Sequence, residues 1–392
     1  MQDKNLLILS HNYNDFIKDQ TEVIAPNFHQ VSVCVRYNIA AKILSHLPVS
    51  TYKNFQINRH LDLTQVPGNI FVYPAEIFYL PLEFQRRNLG NIHYKKVRSI
   101  IHEKKIEFDL IHAHFTWSAG YVGAKIKESS GIPVVITAHG YDIYSLPFKD
   151  PMWKKNIEYV LNTVDTIITV SQRNLECIRK LDVGTPVHVI PNGFRRNLFY
   201  PRNTVECRET LGLPQDRKLL LTVGNLEPVK GHTWLIEAVK EIVREREDIL
   251  CIIIGAGKEK RSLEKQIRSL GLENYIRLTG GKPHDEIPLW INACDLFVLP
   301  SLNEGNPTVM FKALGCGKPF VGTRVGGVPE VITSDTYGFL VNPADSEDLS
   351  ENILIALDKE WDNEAISRYA QRFTWENIAK EILDVYGKVL DT

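Results

Sequence analysis

Four short stretches place charged or hydrogen-bonding side chains directly after a β-branched run and beside glycine. TVGNLEPVKGH carries Gly224, Asn225 and Lys230, and IIIGAGKEKRSLE carries Gly255 and Gly257. LFVLPSLNEGNPTVMFKALGCGKP carries Glu304, Gly305, Asn306, Pro307, Thr308, Val309 and Lys312, and GGVPEVI carries Gly326 and Gly327. A lysine in such a loop is a point charge for a phosphate, and glycine lets a ligand come close to the backbone. A helix with Pro307 at its first position aims free N–H groups, those of Thr308 and Val309, at an anion. An ionised Glu304 beside it accepts hydrogen bonds only, which suits ligand hydroxyls. Phosphate and hydroxyls together suggest a nucleotide-linked sugar. Each stretch alone also has a plainer reading, as a surface turn, a solvated lysine or a carboxylate on a helix dipole. Their repetition at four strand ends favours a lined cleft.

The first half adds IHAHF and ITAHGYD, with His112 and His114 alternating onto one sheet face and His139 and Asp142 following a neighbouring strand. Three histidines and an aspartate could ligate zinc, but no spacing such as H-E-x-x-H accompanies them. The preferred reading makes His112 or His114 a core histidine and turns His139 to the cleft. Residues 86–105 hold seven Lys or Arg against one Glu, with Tyr94, Ile100 and Ile101 interleaved. Such a run is either a solvated helix face or a contact with an anionic membrane.

These residues need strands to end beside them. Continuous apolar runs at NLLILS, NIFVYP, DLIHAH, PVVITA, TIITV and HVIP alternate with helix-length segments. The second half repeats the pattern at LLLTVG, LCIIIG, YIRL, LFVLP, PFVGT and GFLV. That alternation means parallel sheets covered on both faces, and 392 residues exceed one ordinary core. The reading is α/β, two doubly wound Rossmann-like domains facing across a cleft. Turn formers cluster in IPNGFRRNLFYPRN and set the seam, giving domains of 1–195 and 196–371. The last segment, about 372–392, spaces Trp375, Ile378, Ala379, Ile382, Tyr386 and Val389 as one helical stripe, and the first domain is a surface on which to bury it. Ligands of such sheets bind at the carboxyl ends of the strands.

Bulk composition narrows the function. A net charge of -1 gives no field for a nucleic-acid partner. The opening MQDKNLLILSHNYND has too short an apolar run for a signal peptide, and no run of about 18 apolar residues spans a membrane. Six scattered cysteines without a C-x-x-C pair suit a reducing cytosol, so the expected location is cytoplasmic. GCGKP mimics a phosphate-binding loop, but Lys312 and Pro319 break the pattern. A dehydrogenase would want G-x-G-x-x-G after the first strand, where no glycine stands before Gly68.

The order VGNLEPVKG, IIIGAGKEKRSLE, LFVLPSLNEGNPTVMFKALGCGKPFVGT, GGVPEVI and GFLV resembles the retaining glycosyltransferases of family 4 (group 1), which have the GT-B fold. IHAHF, TAHGYD, VSQRN, IPNG and FTWENIAKEI fit the same pattern from about residue 108 onward, while the first hundred residues match loosely. The resemblance implies a nucleoside-diphosphate sugar in the second domain and an acceptor in the first. It gives Lys230 to the diphosphate, with Asn225 where the family has arginine. It gives Glu304 to the donor sugar hydroxyls, and His139 to the donor sugar near the reacting centre. The family's second glutamate, eight residues on, falls on Lys312; that spacing is a little over two helical turns and keeps both side chains toward one ligand. A lysine there could approach the diphosphate, leave a weakened donor site, or bend out to solvent. The GGKP turn at 280–283, with Lys282, lies where the base is read largely by backbone. On the acceptor side stand His114 and Asp142, and Arg195 replaces the acid of the family's NGVD.

The function so implied is transfer of a sugar to an acceptor hydroxyl with retention, in polysaccharide or glycolipid synthesis, with no cofactor and no metal. Glu304, His139 and Lys230 are the catalytic candidates. The implied partners are the nucleotide-sugar donor, a glycan or lipid-linked acceptor, and an anionic membrane touched peripherally. Lys312 and Asn225 motivate a rival, a catalytically impaired nucleotide-sugar-binding protein, and a sugar-nucleotide epimerase of the same fold is a weaker one.

Overall fold

The computed structural model describes residues 1–39, 61–80 and 82–391. The chain divides into two compact units, Met1–Asn192 with Trp375–Thr392, and Gly193–Thr374.

The first unit is built on seven strands: β1 Asn5–Ser10, β2 Gln30–Asn38, β3 Ile70–Ile77, β4 Leu110–His114, β5 Val134–Ala138, β6 Thr166–Thr169 and β7 Val187–Val189. They lie in the order β3-β2-β1-β4-β5-β6-β7, every neighbouring pair parallel. Strand alternation sends Leu7, Leu9, Cys34 and Ile136 to one face, where Val97 and Ile100 of the Glu83–Lys104 helix cover them. The opposite face, with Leu6, Ile8, Val31, Val33 and Val35, takes the stripe of the Trp375–Leu390 helix. Trp375 and Tyr386 are fully buried there, each worth roughly 1.5–3 kcal/mol of transfer free energy. The terminal helix therefore returns to the first unit, as its apolar stripe implied.

The second unit has six strands: β8 Lys218–Val223, β9 Ile249–Ile254, β10 Ile276–Gly280, β11 Leu296–Leu299, β12 Phe320–Thr323 and β13 Gly338–Val341. Their order is β10-β9-β8-β11-β12-β13, again all parallel. Both sheets reverse direction of growth once, between β1 and β4 and between β8 and β11. A crevice forms at such a reversal because the connecting chains leave on opposite faces.

Three expectations need correction. β2 is absent from the strands expected above, because Gln30, Ser32 and Arg36 interrupt its apolar run; Ser32 is nevertheless buried. Pro307 is the N-cap of the Thr308–Gly315 helix, with extended backbone, and not its first helical residue. Glu304 consequently lies in the loop before that helix, so two helical turns do not relate it to Lys312. In the basic stretch 86–105, Ile100 is buried and Tyr94 and Ile101 pack against the first unit's core, so these apolar residues do not form an outward membrane face.

Candidate functional site

In the second unit the loops leaving β8, β9, β11 and β12 lock together backbone to backbone. The Gly224 N–H donates to the Ile254 carbonyl, Leu226 N–H to Ala256, Leu302 N–H to Val229 and Gly327 N–H to Gly305. Glycines make this approach feasible. A Cβ on Gly255 would lie 1.8 Å from the Gly224 carbonyl oxygen, and one on Gly326 would lie 2.1 Å from that of Glu304. Gly255 and Gly326 thus serve loop-to-loop packing, whereas the sequence reading gave such glycines to ligand approach. Gly224 differs: its added Cβ would meet only the Lys230 side chain, at 3.9 Å.

Across the β8/β11 reversal, Lys230 Nζ donates to Glu304 Oε1 at 2.7 Å. Ser301, fully buried, donates its hydroxyl to the same oxygen at 2.7 Å. Glu304 is 7% exposed, and among the described residues no hydrogen bond engages its Oε2. The carboxylate is thus held by one oxygen and offers the other. Lys230 keeps two further N–H donors. The Thr308 and Val309 N–H groups open the adjacent helix and lack intrahelical acceptors, adding partial positive charge to the same loop. Asn306 is buried beside them.

Lys312 does not bend out to solvent. It is 4% exposed, and its Nζ sits 5.2 Å from the centroid of the Phe199 ring. A desolvated cation over an aromatic face is worth about 2 kcal/mol. Phe199 comes from the segment after the NGF turn, whose Phe194 ring lies on Gly315 at the end of the same helix. Lys282 is similarly engaged, 5.1 Å from the Trp290 ring centroid and 3.8 Å from Glu286 Oε2. Asn225 contributes its backbone: its carbonyl accepts from His232 Nε2 at 3.2 Å. Burial lowers His232 to a pKa of about 4, so the ring is neutral and braces the 224–231 loop.

Ser301 and His232 were not among the candidates. Ser301 had a legible signal, since S-x-x-E with Glu304 is a serine–glutamate spacing suited to local hydrogen bonding. His232 had none beyond its position after Gly231.

In the first unit, His114 Nδ1 and His139 Nε2 share a hydrogen bond of 3.0 Å, and the two rings stack with centroids 5.3 Å apart. His112 is the satisfied core histidine, bonded through Nε2 to Thr137 Oγ1 and through Nδ1 to the Tyr386 hydroxyl. Burial first, then the neighbouring histidine, holds His139 well below the usual imidazole range, and burial alone takes His114 to about 3. Both are neutral at pH 7. The Asp142 carboxylate accepts from the backbone N–H groups of Thr116, His139 and Gly140. It ties the loops after β4 and β5 together, and burial pushes its pKa up despite those donors.

Two parallel doubly wound sheets, with charged loops at the carboxyl ends beside each reversal, define a two-domain α/β protein of the GT-B fold. Among solved structures the sucrose-phosphate synthase of Thermosynechococcus elongatus superposes with a TM-score of 0.78 at 20% identity, covering 99% of this chain and 100% of that one. Anabaena HepE in complex with UDP-glucose superposes with a TM-score of 0.74 at 22% identity, covering 98% and 100%.

Residues 204–373 match the family described as glycosyl transferases group 1, and residues 58–197 match glycosyltransferase family 4. A D-inositol 3-phosphate glycosyltransferase of Thermobispora bispora is 28% identical over 72% of this chain and 71% of its own length. The chain belongs to the group 1, family 4 glycosyltransferases.

Proposed function

We propose that the second unit binds a nucleoside-diphosphate sugar at the β8/β11 reversal and that the chain transfers this sugar, with retention, to an acceptor hydroxyl held by the first unit. The observation that carries the reading is the 2.7 Å contact of Lys230 Nζ with Glu304 Oε1, a cation and an acceptor-only group poised in one glycine-locked loop cluster. Lys230 and the Thr308 and Val309 N–H groups stabilise the charge that develops on the departing diphosphate. The free oxygen of Glu304 orients the sugar through its hydroxyls. His139, whose Nδ1 has no partner among the described residues, is the candidate that the family resemblance offers for the donor sugar near the reacting carbon. The acceptor hydroxyl attacks from the face the diphosphate leaves, and the proton it sheds goes to the departing phosphate oxygen. With positive charge supplied by Lys230 and backbone N–H groups, no metal is required.

Anabaena HepE, which shares this fold, is solved in complex with UDP-glucose, so a UDP-sugar is the first donor to test. The six cysteines, all buried and unpaired, fit a reducing cytoplasm. Synthesis of a surface polysaccharide or glycolipid is the biological setting that suits such a transferase.

Lys312 favours a second reading, a protein that binds the nucleotide sugar without turning it over. A buried lysine has no acceptor for the ribose hydroxyls that the family's glutamate would take. A thermal-shift screen of UDP, GDP and their sugars separates the outcomes. A ligand at one hundred times its Kd stabilises by about 2.7 kcal/mol, and Lys230→Ala is expected to remove that shift. Nucleotide binding with no turnover of any donor favours the second reading, and a folded protein stabilised by no nucleotide overturns both.

A further inference from the structure

At the β1/β4 reversal of the first sheet the chain holds a guanidinium that no carboxylate among the described residues neutralises. Arg36 points from the carboxyl end of β2 on the face that Cys34 shares with the core, and it is half-buried. Among the described residues it makes one hydrogen bond, Nη1 to Ser118 Oγ at 2.9 Å, and lies 5.6 Å from the Tyr79 ring centroid. Residues 40–60, which follow β2, contain no Asp or Glu. Burial is the main influence lowering the Arg36 pKa, and Arg86 adds like charge.

The groups around it are donors and neutral rings. Ser118, on the loop after β4, bonds through Oγ to His93 Nδ1 at 3.0 Å and donates its backbone N–H to His11 Nε2 at 3.1 Å. His93 is fully buried, and its Nε2 has no partner among the described residues. An arginine has five N–H groups in a planar fork, and only one is used among the described residues. Partly withdrawing such a cation from water without a counter-charge has a cost, and a half-buried group left that way suits an anion from outside the chain. A surface arginine could satisfy itself with water; this one is partly screened from it, with the Ser118 loop against it and His93 of the Glu83–Lys104 helix bonded to Ser118 behind.

We propose that Arg36, with His93 and Ser118 positioning it, binds an oxyanion group on the acceptor, a phosphate or a carboxylate. This rests on the reading that the first unit holds the acceptor. The planar fork fits two oxygens of either group side by side. Specificity for a charged acceptor then resides in the first unit, separate from recognition of the donor.

Inorganic phosphate is the probe, titrated against the thermal midpoint of the full chain in a phosphate-free buffer at constant ionic strength. Lys230 is a second phosphate site, so the titration is done in Lys230→Ala. Phosphate is expected to raise the midpoint there, and adding Arg36→Gln is expected to weaken its apparent affinity at least about tenfold, the 1.4 kcal/mol of one charge-assisted contact. Acetate acting in place of phosphate assigns a carboxylate acceptor. No phosphate or acetate shift in Lys230→Ala, or an equal shift with Arg36→Gln, overturns the proposal.

The single variant Arg36→Gln should keep its UDP shift, which shows that it is folded. Loss of the UDP shift in the unmodified protein would instead count against the donor reading alone. If Arg36→Gln fails to fold, phenylglyoxal modification mapped on the unmodified chain decides the matter. Phosphate or acetate is expected to slow reaction at Arg36, and an unchanged rate with both refutes the site.

Discussion

Replacing Glu304 by glutamine changes one atom's chemistry and almost nothing of its shape. Ser301 Oγ and Lys230 Nζ both donate to Oε1, and an amide oxygen can accept from both. Hydrogen bonds to a charged group contribute about 1.5–3 kcal/mol and neutral ones about 0.5–1.5. The two retained bonds therefore lose about 2 kcal/mol of stability together, and the side chain stays in place. The other position suffers more. Oε2, which takes no hydrogen bond among the described residues, becomes an NH₂ group that can only donate, so a sugar hydroxyl loses its acceptor. One such bond made in the transition state is worth at least about 1.4 kcal/mol, which is tenfold in rate. The assay is nucleotide release from the donor chosen by the thermal screen, with the UDP or GDP shift measured in parallel. Glu304→Gln is expected to lower kcat/KM at least about tenfold while the nucleotide shift persists, because a bare nucleotide carries no donor sugar. A rate within twofold of the unmodified protein would remove Glu304 from the sugar. Loss of the nucleotide shift in a folded variant would move it to the diphosphate.

Three further outcomes are expected. Gly255→Ala would put a Cβ 1.8 Å from the Gly224 oxygen, so the loops must part, costing about 1–3 kcal/mol by overpacking; an unchanged thermal midpoint with full nucleotide binding would refute the packing role. Burial lowers His93 and His114 from 6.5 to about 3, and lowers His11, His112 and His139 as well. The unfolded chain therefore binds more protons below pH 6.5, and stability present above that pH is lost as it falls, on the order of 1 kcal/mol per pH unit per histidine; equal denaturation midpoints at pH 7.5 and pH 5 would contradict it. Transfer should survive EDTA, since Lys230 and backbone N–H groups supply the charge; loss of activity restored by a divalent cation would assign the leaving-group role to a metal.

Much of the fold was legible because a strand buried on both faces is an apolar run, and twelve of the thirteen strands among the described residues announce themselves as apolar runs. β2 does not. Its Ser32 is buried without an apolar side chain, and its half-buried Arg36 lies just beyond Val35, the last β2 residue paired with β1. The terminal helix was legible as a stripe. Lys230 and Glu304 were legible as residue types at strand ends, but their direct contact was not, since 74 residues separate them and only the strand order makes their loops neighbours. Lys312 exposes the limit of spacing arguments. Counting eight residues presumed one continuous helix, whereas the chain enters the helix only after Pro307. Glycines were ambiguous for another reason: one that admits a ligand and one that admits a neighbouring backbone look alike in sequence, and only the 1.8 Å approach at Gly255 against the open side of Gly224 tells them apart.

Both sheets run in the same order and reverse at their first and fourth strands, and in both the uncommitted chemistry lies at that reversal. In the second sheet the loop after β8 brings Lys230 and the loop after β11 brings Glu304. In the first, the end of β2 brings Arg36, the end of β1 brings His11, and the loop after β4 brings Ser118. Topology decides where a crevice opens, and side chains decide which charge it accepts. The two crevices differ on that point. Lys230 carries its own carboxylate, so the second sheet's crevice is balanced before a ligand arrives and offers acceptor and donor together. Arg36 has no such partner among the described residues, so the first sheet's crevice offers a cation without a counter-charge. A transferase whose donor already brings a diphosphate to one crevice would gain acceptor discrimination from a second, independent requirement for negative charge in the other, because neutral hydroxyl compounds would leave the half-buried Arg36 without a counter-charge.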